Sequence, residues 1–237
     1  MAVSGHALAA EGGAGALKDG MRILLIDHGC CDHPHTRIHR LRAGLEAANC
    51  EVAVCGPSSL HGLDEQPPGM HGIHLHDVAA GSRAFLAAVK EGSPEAFLSA
   101  GAGVPSRLLG LARETARQMI AEAADTLYPD TIFVLHAGIL TDLAVETGAP
   151  VVVHVSEADL VATTDRPSLR RLVRAALGSS DGLVAADDSV AERLKTNWLA
   201  SDPEQCLRCE TWSIDATDAA PRIAAACHAA LARRRGE

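Results

Sequence analysis

The sequence predicts one doubly wound, Rossmann-like α/β domain with a mostly parallel sheet, spanning residues 21–237. Three observations predict it. Short runs rich in Val, Ile and Leu alternate with stretches of helical periodicity along nearly the whole chain. Unbroken apolar runs of this length read as parallel strands covered on both faces. Three of them close on a histidine: Arg22-Ile23-Leu24-Leu25-Ile26-Asp27-His28, Thr131-Ile132-Phe133-Val134-Leu135-His136 and Pro150-Val151-Val152-Val153-His154. In an open α/β sheet ligands sit beyond the carboxyl ends of the strands, so His28, His136 and His154 are expected to line one cleft.

The elements follow in order. A strand at 22–27 leads into a helix at 35–48, where Ile38, Leu41 and Leu45 recur at helical spacing, and then a strand at 51–55 closed by Gly56-Pro57. Residues 56–71 are rich in Pro, Gly and Ser and read as loop, and Gly72-Ile73-His74-Leu75-His76 alternates like a short strand. Helices are expected at 82–100 and 105–127, a strand at 131–135, a helix at 139–147 ended by Gly148-Ala149-Pro150, and a strand at 150–155. The series continues with a helix at 167–178, a strand at 182–186, a helix at 188–199, a strand at 206–212 and a helix at 217–234. Residues 1–20 are rich in Ala and Gly and read as a flexible tail.

Composition narrows the function classes. The chain has 237 residues, 47% of them apolar and only 3% aromatic, so its core is expected to consist of small aliphatic residues and closely packed helices. A net charge of −9 offers no electrostatic footprint for nucleic acid or an anionic membrane. The basic run Arg233-Arg234-Arg235 reads as a solvated helix end that complements the helix dipole. The N-terminal segment lacks the pattern of a secretory signal, and no stretch approaches the roughly 20 apolar residues of a membrane span. A cytoplasmic protein is expected. Seven scattered cysteines, an odd number, suit reduced thiols in the core better than a disulfide framework.

Several chemistries are excluded by missing motifs. There is no G-x-S-x-G nucleophile turn, no G-x-x-x-x-G-K-[ST] phosphate loop and no G-x-G-x-x-G after the first strand. Asp27, His28, Cys30, Cys31, Asp32, His33, His35 and His39 put many candidate metal ligands near the first loop, but they match no established zinc spacing and no metal site is assigned. The other reading of that loop is a polar cleft segment whose helix starts at Pro34, with Asp32 or His33 near its N-terminus. Cys206-Leu207-Arg208-Cys209 lacks the second pair of a zinc site and the helix N-terminus of a redox motif, so it reads as core packing. After the 182–186 strand, Asp188 is the expected helix cap.

The order of motifs resembles the N-terminal half of a retaining GT-B glycosyltransferase of the family 4 type. The resemblance rests on Met21-Arg22-Ile23-Leu24-Leu25-Ile26, on Arg40 to Val54 through the first helix and second strand, on Pro129-Asp130-Thr131-Ile132-Phe133-Val134-Leu135-His136-Ala137, on Thr147-Gly148-Ala149-Pro150-Val151-Val152-Val153-His154, and on Ala175 to Leu194. It implies a catalytic role for His154, where the family has an active-site histidine. It also implies an acceptor side lined by Ser156, Glu157, Asp159, Asp187, Asp188 and Ser189. Together with the strand-end reading, the candidate substrate-binding residues are His28, His33, His136, Glu157 and Asp159. Two departures stand out. The first loop reads His28-Gly29-Cys30-Cys31-Asp32-His33-Pro34-His35-Thr36 where the family carries a glycine pair, and the family's second, nucleotide-sugar-binding domain has no counterpart before Glu237. The resemblance therefore implies the acceptor-binding half, or an accessory subunit, of a split glycosyl transfer system. Such a chain would hold no cofactor, bind a sugar-containing acceptor, and pair with a donor-domain chain or a second copy of itself. The other expectation is a non-catalytic small-molecule or metal-binding module on the same scaffold.

Overall fold

The computed structural model describes residues 20–29, 31, 37–58, 67–75, 87–88, 91, 93–164, 166–200 and 209–236. Among them, seven strands form one parallel sheet: β1 (Arg22–Ile26), β2 (Glu51–Ser58), β3 (Met70–His74), β4 (Thr131–Val134), β5 (Val151–Val155), β6 (Gly182–Ala185) and β7 (Cys209–Thr211). The order across the sheet is β3-β2-β1-β4-β5-β6-β7, with every neighbouring pair parallel. The winding reverses between β1 and β4, which makes the gap beyond their carboxyl ends the topological switch point.

The helices are α1 (Arg37–Ala47), α2 (Pro94–Gly103), α3 (Ser106–Leu127), α4 (Thr141–Glu146), α5 (Glu157–Thr164), α6 (Pro167–Ser179), α7 (Asp188–Arg193) and α8 (Ala219–Arg235). Alternation along each strand divides the core between two faces. Leu24, Ile26, Ile132, Val134, Val151 and Val153 pack against α2, α3, α4 and α6 through Phe97, Leu109, Ile120, Leu143 and Val173. Ile23, Leu25, Val52, Val54, Phe133 and Val152 pack against α1 and α8 through Ile38, Leu41, Leu45, Ile223 and Cys227. The expected small-residue core is present. A Cβ at Gly44 would lie 2.7 Å from the Ala220 Cβ, so a glycine in α1 allows α8 this close approach. Burial raises the thiol pKa values of Cys55 and Cys227, consistent with cysteines that pack and do not react.

Several boundaries differ from expectation for local reasons. Of the helix expected at 82–100, the described residues 87–88 and 91 are helical, and a separate helix, α2, starts at Pro94: Ser93 is extended and its side chain accepts from the Ala96 N–H, and proline suits the first helical position. Strand β2 runs on through Gly56 and Pro57 to pair with β3, and β3 begins at Met70, not at 72. Pairing with β1 stops at Cys55, so Pro57 lies where β2 has a strand neighbour on one side only. Helix α5 lies in a stretch where no element was expected. The helix expected at 188–199 is α7 followed by a π turn at Leu194–Trp198. Its cap is Asp187, whose carboxylate accepts from the Val190 N–H at 2.9 Å, and not Asp188. The basic end of α8 is pinned as well as solvated: Arg233 donates to the Asp181 carbonyl and Arg234 to its carboxylate, which also accepts from the Val151 N–H. The tail at 1–19 lies outside the described residues.

Candidate functional site

Three strands deliver the central side chains. Asp27 and His28 follow β1, His136 follows β4, and His154 is the fourth residue of β5, paired in register with Val184. The three histidines come together, as the sequence suggested. His136 stands edge-on between the other two, with ring centroids 6.3 Å from His28 and 6.4 Å from His154. All three are buried, so they form a row under the switch point and not the open wall of a cleft.

Asp159 organises the row. It is wholly buried in the first turn of α5, where one carboxylate oxygen sits 3.0 Å from His136 Nδ1 and the other accepts from the N–H groups of Ala137 and Ser156 at 3.1 and 2.7 Å. One side chain thus ties the turn after β4 to the turn after β5. Asp27 does the same locally for β1, accepting from the N–H groups of His28 and Gly29 at 2.7 and 3.1 Å. The remaining nitrogen of His136, Nε2, faces Arg37 Nη1 at 3.3 Å and Asp27 Oδ1 at 3.9 Å. Arg37 also reaches Asp215 at 3.0 Å from the turn before α8, and Arg40 approaches the same carboxylate at 3.6 Å.

Hydrogen bonding sets the tautomers of the outer histidines. His154 Nδ1 donates to the Leu135 carbonyl at 3.1 Å, which leaves Nε2 as a bare acceptor. His28 Nε2 accepts from the Leu140 N–H at 3.2 Å, which puts its proton on Nδ1. Among the described residues neither His154 Nε2 nor His28 Nδ1 has a partner, although both are buried. The row therefore holds one unpaired acceptor and one unpaired donor, an arrangement that costs stability unless something fills it.

Burial sets the charge states. It lowers the pKa of His28 to about 3, with the nearby His136 adding to the effect. It likewise lowers His154 to about 4, the pull of Asp159 only partly offsetting it. Burial also opposes a charge on His136, but Asp159 and Asp27 together outweigh it and Arg37, so its pKa lies above 6.5. Asp159 would be raised by burial, yet His136 and the Ser156 N–H hold it below the usual carboxylate value.

These opposing shifts predict a stability maximum near the ordinary imidazole value. As pH falls from 6.5 toward about 4, the unfolded chain takes up protons at His28 and His154 that the folded chain refuses, at a cost of about 1.4 kcal/mol per pH unit for each histidine. The raised value of His136 contributes stability that is fully present below 6.5 and is lost as pH rises through its folded value. Urea denaturation at stepped pH checks this. A monotonic rise in stability from about pH 5 to pH 9 would contradict it.

The structure does not bring every candidate into the row. Glu157 lies at the start of α5 with its side chain 55% exposed and ion-paired to Arg193, away from the histidines. His33, Cys30, Asp32, His35 and Cys206 lie outside the described residues. Among the described residues no three His, Cys, Asp or Glu side chains converge as metal ligands. Arg37 was missed. A cation in the first turn of a helix opposes the helix dipole, and that was the available signal that acidic groups hold it there. Trp212, whose ring centroid lies 6.2 Å from that of His154, and Asp215 were also missed, because only the return of β7 beside β6 brings them near.

Sheet order and switch-point row together define a doubly wound, Rossmann-like α/β protein. No family model and no curated protein matches the chain. Among solved structures, the Streptomyces sp. SF2575 glycosyltransferase SsfS6 is similar at 17% identity and TM-score 0.40, over 70% of this chain and 50% of that one. Its complex with thymidine diphosphate is similar at 17% identity and TM-score 0.40, over 69% and 48%. Glycyrrhiza uralensis UGT73P12, complexed with glycyrrhetinic acid 3-O-monoglucuronide, is similar at 11% identity and TM-score 0.39, over 90% and 52%. The chain spans about half the length of these structures. Among the described residues no helix is long and apolar enough to cross a membrane.

Proposed function

We propose that the chain binds a sugar-containing acceptor at the switch point and serves as the acceptor-side or accessory component of a glycosyl transfer system, its partner supplying the nucleotide-sugar site. The observation that carries this reading is His154: buried, neutral, and with Nε2 left as an unpaired acceptor. Such a nitrogen is suited to receive a hydrogen bond from a hydroxyl group and so to orient it. The unpaired Nδ1–H of His28 offers the complementary donor for a ring or glycosidic oxygen. His136 and Asp159 position these groups. The sequence resemblance to the N-terminal half of GT-B glycosyltransferases supports the same reading. Among the described residues the cysteines form no disulfide, which suits a cytoplasmic setting.

Calorimetric titration of the chain with simple glycosides and, separately, with nucleotide sugars tests the proposal. Saturable glycoside binding is expected, weakened about tenfold or more in His154→Phe, which keeps an aromatic ring, though a larger one, and removes the acceptor. Urea denaturation of the variant checks that it remains folded. Micromolar binding of a nucleotide sugar by this chain alone, with no glycoside binding, would overturn it. Co-purification from the host is expected to recover a chain with a nucleotide-sugar-binding Rossmann-like domain.

A further inference from the structure

We infer that Arg37 and His136 form a proton-operated latch across the switch point: neutral His136 accepts Arg37 at Nε2 and holds it, and a proton on that nitrogen drives Arg37 off and turns the N–H toward Asp27. The geometry allows no other use of that nitrogen. Nδ1 is committed to Asp159 at 3.0 Å, so Nε2 alone faces Arg37 Nη1 at 3.3 Å and Asp27 Oδ1 at 3.9 Å. A guanidinium has donors and no acceptor, so the Arg37 contact exists only while Nε2 keeps its lone pair. After protonation two cationic donors would face each other, while the carboxylate oxygen Asp27 Oδ1, which also accepts the His28 and Gly29 N–H groups, lies less than an ångström farther away. Arg37 has somewhere to go, because Asp215 already holds its Nε at 3.0 Å on the solvent side.

The groups facing His136 come from five elements. They are Asp27 and His28 beyond β1, Arg37 of α1, Glu95 in the first turn of α2, His154 of β5 and Asp159 of α5. His28 and His154 stay neutral through the relevant range, so three carboxylates act against one guanidinium. The balance favours the proton, and the latch is expected to release on acidification through the neutral range, not deep in acid. The 3.3 Å approach of Arg37 Nη1 to Nε2 is the closed arrangement. As regulation of ligand access the latch rests on the proposed acceptor site; as a contact it stands without any ligand.

The test uses the full chain without ligand. Side-chain nitrogen NMR follows His136 and Arg37 together across the pH range. The His136 midpoint is expected above 6.5, and the guanidinium protons of Arg37 are expected to exchange about tenfold faster on the acidic side with the same midpoint. In Arg37→Gln the His136 midpoint is expected to rise, because the one opposing positive charge is gone. Arg37 signals that ignore the His136 titration, or a His136 midpoint that stays put or falls in Arg37→Gln, would overturn the latch. Glycoside titration at the two ends of the pH range separates the two ideas: if both NMR results hold and no glycoside binds, the latch stands and the acceptor-site reading falls.

Discussion

Asp159→Ala is expected to cost about 3–5 kcal/mol of folding stability, the loss typical of removing one partner from a buried ion pair. The damage has three parts. Ala137 and Ser156 each lose the acceptor of a buried or half-buried N–H, and such orphaned donors cost about 1–3 kcal/mol apiece before relaxation. His136 loses the nearer of its two carboxylates, and burial then pushes it toward the neutral form. The turns after β4 and β5 lose the side chain that joins them. Chemical denaturation monitored by circular dichroism gives the magnitude, and His136 titration gives the cause. A loss below about 1 kcal/mol, as for an exposed pair, would show that Asp159 is not the organiser of the row.

Gly138→Ala is expected to be the next most damaging change at the site. An added Cβ would lie 2.2 Å from Leu98 Cδ2 and 2.7 Å from His28 Nε2, both contacts impossible without movement. Leu98 is buried in α2 and His28 Nε2 is tied to the Leu140 N–H, so neither neighbour can move aside freely. Overpacking of this kind costs about 1–3 kcal/mol, and breaking the His28 hydrogen bond adds about 1 kcal/mol. Denaturation measures the sum. The His28 ring signals should shift in the same variant, and an unperturbed His28 with wild-type stability would refute the proposed close packing.

Most of the fold was legible because burial on both faces leaves a local imprint. The runs at 23–26, 132–134, 151–153 and 182–185 carry no polar side chain, and the strands that contain them were each placed within a residue or two. Helix α5 was not, because Glu157-Ala158-Asp159-Leu160 reads as a polar loop until Asp159 is seen turned inward, accepting two backbone hydrogens. The cap after β6 was assigned one residue late for a related reason. Asp187 and Asp188 are equivalent in a list of cap formers, and only the chain path, extended at Asp187, selects between them.

The sequence by itself determined the fold class, the parallel sheet, and the fact that three histidines end up near the carboxyl ends of its central strands. Strand ends are set by local hydrophobic patterning, and parallel winding then gathers them on one edge. Which nitrogen is free, which ring is charged and which side chain holds them were decided only by the tertiary structure. Asp159 is 23 residues from His136, and Leu140 is 112 residues from His28. The electrostatic states of the row depend on those long-range contacts and on burial, and neither is written in any local pattern along the chain.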